Sequence, residues 1–318
     1  MKKNQSVDLL HGPIFKSLSL LAIPIMATYF IQMAYNLVDM LWIGFLGSGA
    51  VASIGVSGNF MYLSNGLVNM PKIGSQALVG QSLGANNQEQ TKNYIQAAFQ
   101  SSLFFALIYG IIIIVFQKYL IQLFNLSDPA IIQDAQNYLW ITCGFIVFSF
   151  VNQIFTGILT AAGHSKSTFI ATTTGLVLNL ILDPVLIFVF NLRVIGAALA
   201  TILAQIIVTL VFLYNTKNLD LFRNIRILSK PKLNHISEIL KIGFPSSVQS
   251  MLFTCISMYI ARLISSFGAI SVAVQKVGSQ IESISWMAAD GFSASINAFT
   301  SQNYGAKNYD RVKQGGAW

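Results

Sequence analysis

The sequence predicts an all-α integral membrane protein with about eight transmembrane helices. Three observations predict it: the composition, the long apolar runs and the distribution of charge. Of the 318 residues, 54% are hydrophobic and 9% are charged, whereas soluble domains carry about 25% charged residues. Because a helix needs ~20 apolar residues to cross a bilayer, we predict spans at 18–46, 50–78, 94–117, 132–160, 168–190, 194–215, 239–267 and 271–300.

The positive charges predict the orientation of these spans. With the N-terminus inside, fourteen Lys and Arg residues fall in cytoplasmic segments, and only Lys118 and Arg193 fall outside. This bias is the positive-inside pattern of membrane proteins. It predicts both ends of this chain on the cytoplasmic side of a bacterial cytoplasmic membrane. The net charge of +8 therefore requires no nucleic-acid partner.

The chain also repeats itself. A shift of 221 residues superposes Pro24 on Pro245, Gln81 on Gln302 and the pair 84–85 on 305–306. Six spans lie between equivalent positions, so the repeat is parallel, with its axis along the membrane normal. We predict a six-helix N-terminal lobe at 1–215, a basic cytoplasmic linker at 216–238 and the start of a second lobe at 239–318. A complete second repeat would need roughly 450 residues, so we expect a C-terminally truncated chain that inserts without transporting.

The fifth predicted span carries a buried carboxylate. Asn179 and Asp183 are four residues apart and therefore share one helix face. Pro184 follows and removes a backbone hydrogen bond, which bends a helix. A carboxylate at the bilayer centre costs on the order of 3 kcal/mol. This pattern favours an ion or proton site on a movable element, and the alternative is simple pairing with a neighbouring helix.

The first span carries a second carboxylate. Gln32, Asn36 and Asp39 are spaced as one polar stripe, Tyr35 borders it, and Pro24 can bend the helix. Polar residues on one side of an apolar helix usually face the bundle interior. An alternative is that Asp39 only holds helices together.

Thr201 follows a run of small residues in the sixth span that permits close helix approach. Asp39, Asn179, Asp183 and Thr201 all offer oxygen ligands. Oxygen ligands suit a proton or a hard cation such as sodium, so a sodium site formed by these four residues is possible. Two neighbouring carboxylates could share a proton. No other cofactor is predicted.

Two further groups of residues leave alternatives open. In the second span, Ser53, Ser57 and Ser64 share one face and could line a wet cavity or pack against another helix. In the eighth, Glu282 and Asp290 could serve a site in the second lobe or form an ion pair with Lys276 in the same helix. The sequence has no nucleotide-binding G-x-x-x-x-G-K-[ST], no H-E-x-x-H and no G-x-S-x-G. An enzyme is therefore not predicted, and an ion gradient must supply the energy.

The segments YNLVD, NLILDP and GAALAT, with the turn GQSLGA, resemble the multidrug and toxic compound extrusion (MATE) family. The resemblance implies two six-helix lobes around a central cavity, and antiport of drugs against protons or sodium. It implies that Asp39, Asn179, Asp183 and Thr201 form the cation site of the N-terminal lobe, with Tyr35 beside them. Amphipathic cations are the expected substrates, without an obligate protein partner. Alternative functions are a lipid-linked-sugar flippase of the same fold type and a non-transporting remnant.

Overall fold

The computed structural model describes residues 6–124, 126, 128–223, 225–227, 229–265 and 269–316, and the side chains of Arg262 and Lys276 lie outside the described part. Both chain ends, at residues 1–5 and 317–318, also lie outside it. The described part contains α-helices and no strands. Its helices are α1 Ile14–Gly44, α2 Ser48–Gly84, α3 Gln88–Gln122, α4 Pro129–Gly144, α5 Ile146–Ala161, α6 Ser165–Pro184, α7 Arg193–Thr216, α8 Leu233–Ser265, α9 Ala269–Gly305 and α10 Tyr309–Gly316.

Five of these helices, α1, α3, α6, α7 and α8, are long and apolar enough to cross a membrane, and α4 with α5 could form a sixth crossing. The all-helical class is therefore confirmed, whereas the count of eight spans and the division into lobes stay predictions. Helices α2 and α9 are long but more polar. Some of their polar side chains are buried against other helices, as Ser57 on α2 and Ser295 on α9 are, whereas Glu282 and Asp290 on α9 are exposed.

Helix α2 is the central helix of the fold, packing against α3, α4, α5, α8 and α9. Its serines are buried: the Oγ of Ser57 donates to the carbonyl oxygens of Ser53 at 2.9 Å and of Ala135 on α4 at 3.0 Å. Ser64 donates to the carbonyl oxygen of Met61 at 2.7 Å. Of the two alternatives for this serine face, the structure therefore shows helix packing.

Two predicted spans are broken. The span at 132–160 consists of α4 and α5, which meet at Phe145 with a bend of 48°. The span at 168–190 is α-helical only to Pro184 and continues as a π-helix, Val185–Val189. Proline has no N–H to donate, so the regular ladder changes register after Pro184.

The predicted repeat is visible in backbone geometry at the turns that follow α2 and α9. Asn86 and Lys307, 221 residues apart, both have positive φ, 54° and 61°. The N–H of Ala85 donates to the Gln81 carbonyl at 3.0 Å, and that of Ala306 donates to the Gln302 carbonyl at 2.9 Å. The two segments therefore fold as copies of one turn.

These equivalent turns also contact each other. A Cβ atom on Gly84 would collide with the Gln302 carbonyl, and one on Gly305 would collide with the Gln81 carbonyl. Only glycine permits such close approach of two backbones. In the first halves of α2 and α9, by contrast, Gly55, Gly58 and Gly278 have no atom within 4 Å of the Cβ position. The two repeats thus meet at the ends of α2 and α9, whereas the Cβ positions of these three glycines, nearer the starts of the helices, face open space.

The predicted linker is packed against α3. A 3-10 turn forms at Asp220–Phe222. Beyond it, the side-chain amide of Gln100 donates to the carbonyl oxygens of Ile227 and Ser229, at 2.8 and 2.9 Å. Lys232 donates to Asn93 at 2.9 Å. These contacts place the start of α8 against the first repeat.

Residues 6–12, which we name the N-terminal segment, connect the two repeats at the end where they meet. The N–H of Val7 donates to the Gly163 carbonyl in the α5–α6 turn, at 3.1 Å. Leu9 is 1% exposed and packs with Phe299 of α9.

The carbonyl of Leu9 accepts from Nδ2 of Asn303 at 2.9 Å, and that of Gly12 accepts from Nη2 of Arg311 at 2.8 Å. The N-terminal segment therefore binds the turn between α5 and α6 on one side, and it binds α9 and α10 on the other.

A cavity of about 560 Å³ lies beside the N-terminal segment, lined by residues that include Asp8, Lys92 and His164. Hydrogen bonds from the backbone N–H of His11 and then Leu10 lower the pKa of Asp8. Burial lowers the pKa of His164, because a charged imidazolium loses hydration there. Both shifts favour the ionised Asp8 and the neutral His164.

Candidate functional site

Asp183 lies on α6 one residue before the proline that ends the regular helix. It is 0% exposed, and Asn179, one turn earlier, is 4% exposed. The predicted common face of these two residues is therefore a buried face. Neither carboxyl oxygen of Asp183, nor Nδ2 of Asn179, has a hydrogen-bond partner in the described part of the chain. Such groups are costly inside a membrane protein unless a proton or a cation satisfies them.

Helix α1 packs against α6 and brings Asp39 to this place. Asp39 is half-buried, and its carboxyl group is close enough to that of Asp183 for direct electrostatic interaction. Two carboxylates this close repel each other when both are ionised. A single proton or a monovalent cation between them removes that repulsion.

Two tyrosines and a threonine complete the cluster. Tyr35 on α1 and Tyr138 on α4 both interact electrostatically with Asp39 and Asp183, and both hydroxyl groups are near Thr201 on α7. The Oγ1 of Thr201 donates to the carbonyl oxygen of Ala197 at 3.1 Å, so its lone pairs stay available as acceptors. The cluster thus joins four helices, and Tyr138 belongs to it although sequence reasoning did not select it.

Other predicted residues lie outside this cluster. Gln32 and Asn36 are exposed, so of the predicted stripe only Asp39 is in the group around Asp183. Pro24 lies inside α1, which stays one continuous helix. The carbonyl oxygen of Pro24 accepts a hydrogen bond from Oγ1 of Thr28 at 2.9 Å.

The donor set of the cluster determines what it could hold. Within the described residues, no group of three His, Cys, Asp or Glu side chains could bind a metal ion. A cation between Asp39 and Asp183 would therefore add hydroxyl or amide oxygens from Thr201 or Asn179. Oxygen ligands of this kind suit a proton or a hard monovalent ion.

The acidic residues of α9 have separate environments. Glu282 accepts a hydrogen bond from the indole N–H of Trp286 at 3.0 Å. Asp290 interacts electrostatically with Lys72 on α2 and with Tyr29 on α1. The predicted basic partner Lys276 lies outside the described side chains, and Lys72 is a partner that spacing within one helix could not indicate.

Comparison with known proteins gives a family and a fold. The MatE family model matches residues 24–185 and 245–315. A probable multidrug resistance protein NorM of Thermotoga maritima is 27% identical over 307 residues, covering 94% of this chain and 65% of that protein. The multidrug export protein MepA of Staphylococcus aureus is 26% identical over 279 residues, covering 86% of this chain and 61% of that protein. The chain thus spans about two thirds of the length of these curated relatives.

Solved structures match the fold over nearly the whole chain. One is the outward-facing conformation of a multidrug resistance MATE family transporter, with a TM-score of 0.89, 23% identity, and coverage of 99% of this chain and 70% of that one. Another is a MATE structure in the bent conformation, with a TM-score of 0.87, 25% identity, and coverage of 99% and 70%.

Proposed function

Because the chain belongs to the MatE family, whose members are integral membrane transporters and not enzymes, we propose that it acts in secondary active multidrug efflux. Protons or sodium ions enter and organic cations or other xenobiotics leave. The relatives are named as multidrug resistance and export proteins, which supports this class of substrate. The observation that carries the proposal is the fully buried, unpartnered carboxyl group of Asp183 next to Asp39.

Coupling follows from the electrostatics of this pair. Both carboxylates cannot remain ionised in contact within a poorly solvated site, so the site takes up a proton or a sodium ion. Uptake removes the repulsion between α1, which carries Asp39, and α6, which carries Asp183. The two helices can then approach each other, and Pro24 lets the rest of α1 change direction. Movement of α1 then changes the space between the two lobes, which is where carriers with such repeats bind their substrate.

Replacement of Asp183 by Asn tests this role. Asn removes the ionisable group at nearly constant volume, so we expect folding to persist while dependence on the ion gradient disappears. The measurement is ethidium efflux from proteoliposomes under a proton gradient alone and under a sodium gradient alone. It uses a longer version with a complete second repeat, because the 318-residue chain is expected to insert without transporting. The matched control is Asp134→Asn, since Asp134 is a half-buried acid of α4 outside the cluster.

Comparison of efflux under the two gradients distinguishes coupling to protons from coupling to sodium ions. Asp183→Asn with unchanged gradient dependence would show that coupling lies elsewhere. A longer version that carries a complete second repeat and wild-type residues, yet moves no dye under either gradient, would contradict the proposed function itself.

A further inference from the structure

Lys72 and Asp290 are two ionisable residues of the helical bundle that the cluster around Asp183 does not use. Lys72 lies on α2 and is half-buried. Its Nζ donates to Oε1 of Gln153 on α5 at 2.8 Å. A Cβ atom on Gly157 would lie 3.1 Å from the Lys72 carbonyl oxygen and 3.2 Å from its Cγ. Helix α5 therefore holds both the backbone and the ammonium group of Lys72.

The register between α2 and α9 places Lys72 opposite Asp290. The side-chain amide of Gln76 on α2 donates to the carbonyl of Ala294 on α9 at 2.9 Å. Both helices run in the same direction, since their ends meet at equivalent turns. Lys72 lies one helical turn before Gln76 on α2, and Asp290 lies one helical turn before Ala294 on α9. Their electrostatic interaction agrees with this register.

The internal repeat independently places Asp290 at the junction with α1. Asp290 is equivalent to Asn69, and Ser250 is equivalent to Tyr29, at the shift of 221 residues. Asn69 donates to Ser250 at 3.2 Å across the α2–α8 contact. The matching contact of α9 with α1 pairs Asp290 with Tyr29, and these two groups do interact. Asp290 thus lies within electrostatic range of both the Lys72 ammonium and the Tyr29 hydroxyl group.

The two charges remain apart. Among the described side chains, Lys72 and Asp290 form no salt bridge within 4.0 Å. The ammonium of Lys72 is directed to Gln153, and the Asp290 side chain is exposed. A carboxylate that is accessible and incompletely neutralised within a membrane protein attracts a cation.

We propose that Asp290 is a binding site for an organic cation and that Lys72 is the resident counter-charge with which this cation competes. In the empty protein, Lys72 partly neutralises Asp290. When a cation binds, Lys72 repels it and keeps its ammonium on Gln153. Lys72 therefore lowers the affinity for cations and favours their release. This inference rests on the proposed function for its substrate class, but it concerns a site separate from Asp39 and Asp183.

Equilibrium binding of ethidium to the purified chain, followed by fluorescence, tests the proposal. Lys72→Met removes the competing charge, and we expect affinity to rise roughly tenfold, which is the effect of a unit charge about 10 Å away at an effective dielectric constant of about 20. Asp290→Asn should lower affinity roughly tenfold. Glu282→Gln, on the same helix but bonded to Trp286, is the matched control and should bind like wild type.

Two more variants separate electrostatics from folding. Lys72→Arg keeps the positive charge and should bind like wild type. Gln153→Leu removes the acceptor that holds Lys72, so the ammonium can approach Asp290, and affinity should fall. A structural defect at this place would weaken binding in every variant and would not raise it in Lys72→Met.

The outcomes distinguish this site from the proposed function. Unchanged ethidium affinity in both Lys72→Met and Asp290→Asn would overturn the proposal, while gradient-driven efflux that needs Asp183 would still support the transporter. Loss of affinity in Lys72→Met would likewise overturn it, because Lys72 would then be a ligand or a packing residue. Absence of ethidium binding in wild type would overturn both this site and the expected substrate class.

Discussion

Asp183 has no exposed surface and no hydrogen-bond partner for either carboxyl oxygen in the described part of the chain. An isolated carboxylate in this position would cost several kcal/mol. Its nearest charged neighbour is Asp39, which makes the cost larger unless the pair takes up positive charge. The charge of each residue therefore affects the other, and the two form one site.

A pair of cysteines at positions 39 and 183 should be joined by a short bifunctional thiol reagent. The carboxyl groups interact directly, so thiols in their place lie within reach of such a reagent. The experiment uses a protein in which Cys143 and Cys255 are replaced by Ala, and mass spectrometry detects the intramolecular link.

The comparison pair combines a cysteine at 39 with one at 282, on the exposed Glu282 position of α9, and should give no link. If the thiols at 39 and 183 each react singly yet are never joined, the two residues do not share a site.

Sequence spacing predicted part of this cluster. Asn179 and Asp183 were found because an i, i+4 pair on one helix is visible in the sequence. Tyr138 was missed because its place depends on the packing of α4 against α7, which no periodicity records. Gln32 and Asn36 follow the same stripe as Asp39, but α6 covers only part of that stripe, and both remain exposed.

At the scale of elements, the N-terminal segment is the connection that the sequence did not indicate. Its residues are mixed in character, and its binding depends on backbone carbonyls that accept from Asn303 and Arg311. Every residue has the same backbone carbonyl group, so contacts made by carbonyls leave no pattern in the amino-acid sequence. By contrast, helices α1, α3, α6, α7 and α8 were predictable because apolar length alone indicates them.

Arg311→Ala should release the N-terminal segment. A charge-assisted hydrogen bond contributes about 1.5–3 kcal/mol, so exchange of the Val7 amide hydrogen, which is bonded to Gly163, should accelerate by roughly tenfold or more. Hydrogen–deuterium exchange with mass spectrometry measures this rate. Lys313→Ala, an exposed change on the same short helix, should leave the rate unchanged, and equal protection in both variants would contradict the role of Arg311.

At the scale of the whole molecule, one cavity is lined by five parts of the chain. They are residues 6–11, four residues between 83 and 92, Ala162 with His164, residues 219–221, and Gln302 of α9. The charge bias predicts that these parts lie on the cytoplasmic side. The repeat with a spacing of 221 residues could be predicted from the sequence, because its turns need particular residues, such as the glycines at 84 and 305.

Cysteines at opposite ends of the molecule test the orientation. With Cys143 and Cys255 replaced by Ala, we expect Leu123→Cys, at an exposed position after α3, to react with an impermeant maleimide on intact cells. Lys313→Cys should react only after lysis. Labelling of both positions on intact cells, or of Lys313→Cys alone, would contradict the predicted orientation.

The reciprocal contact between the two turns constrains how this end can open. Gly84 touches Gln302 and Gly305 touches Gln81, so the two contacts are related by the same axis. Any rotation about that axis that separates one pair also separates the other. Neither contact can then be lost alone to give a half-open form. Opening at this end should be an all-or-none event between two well-separated states, with a population set by the total cost of both contacts.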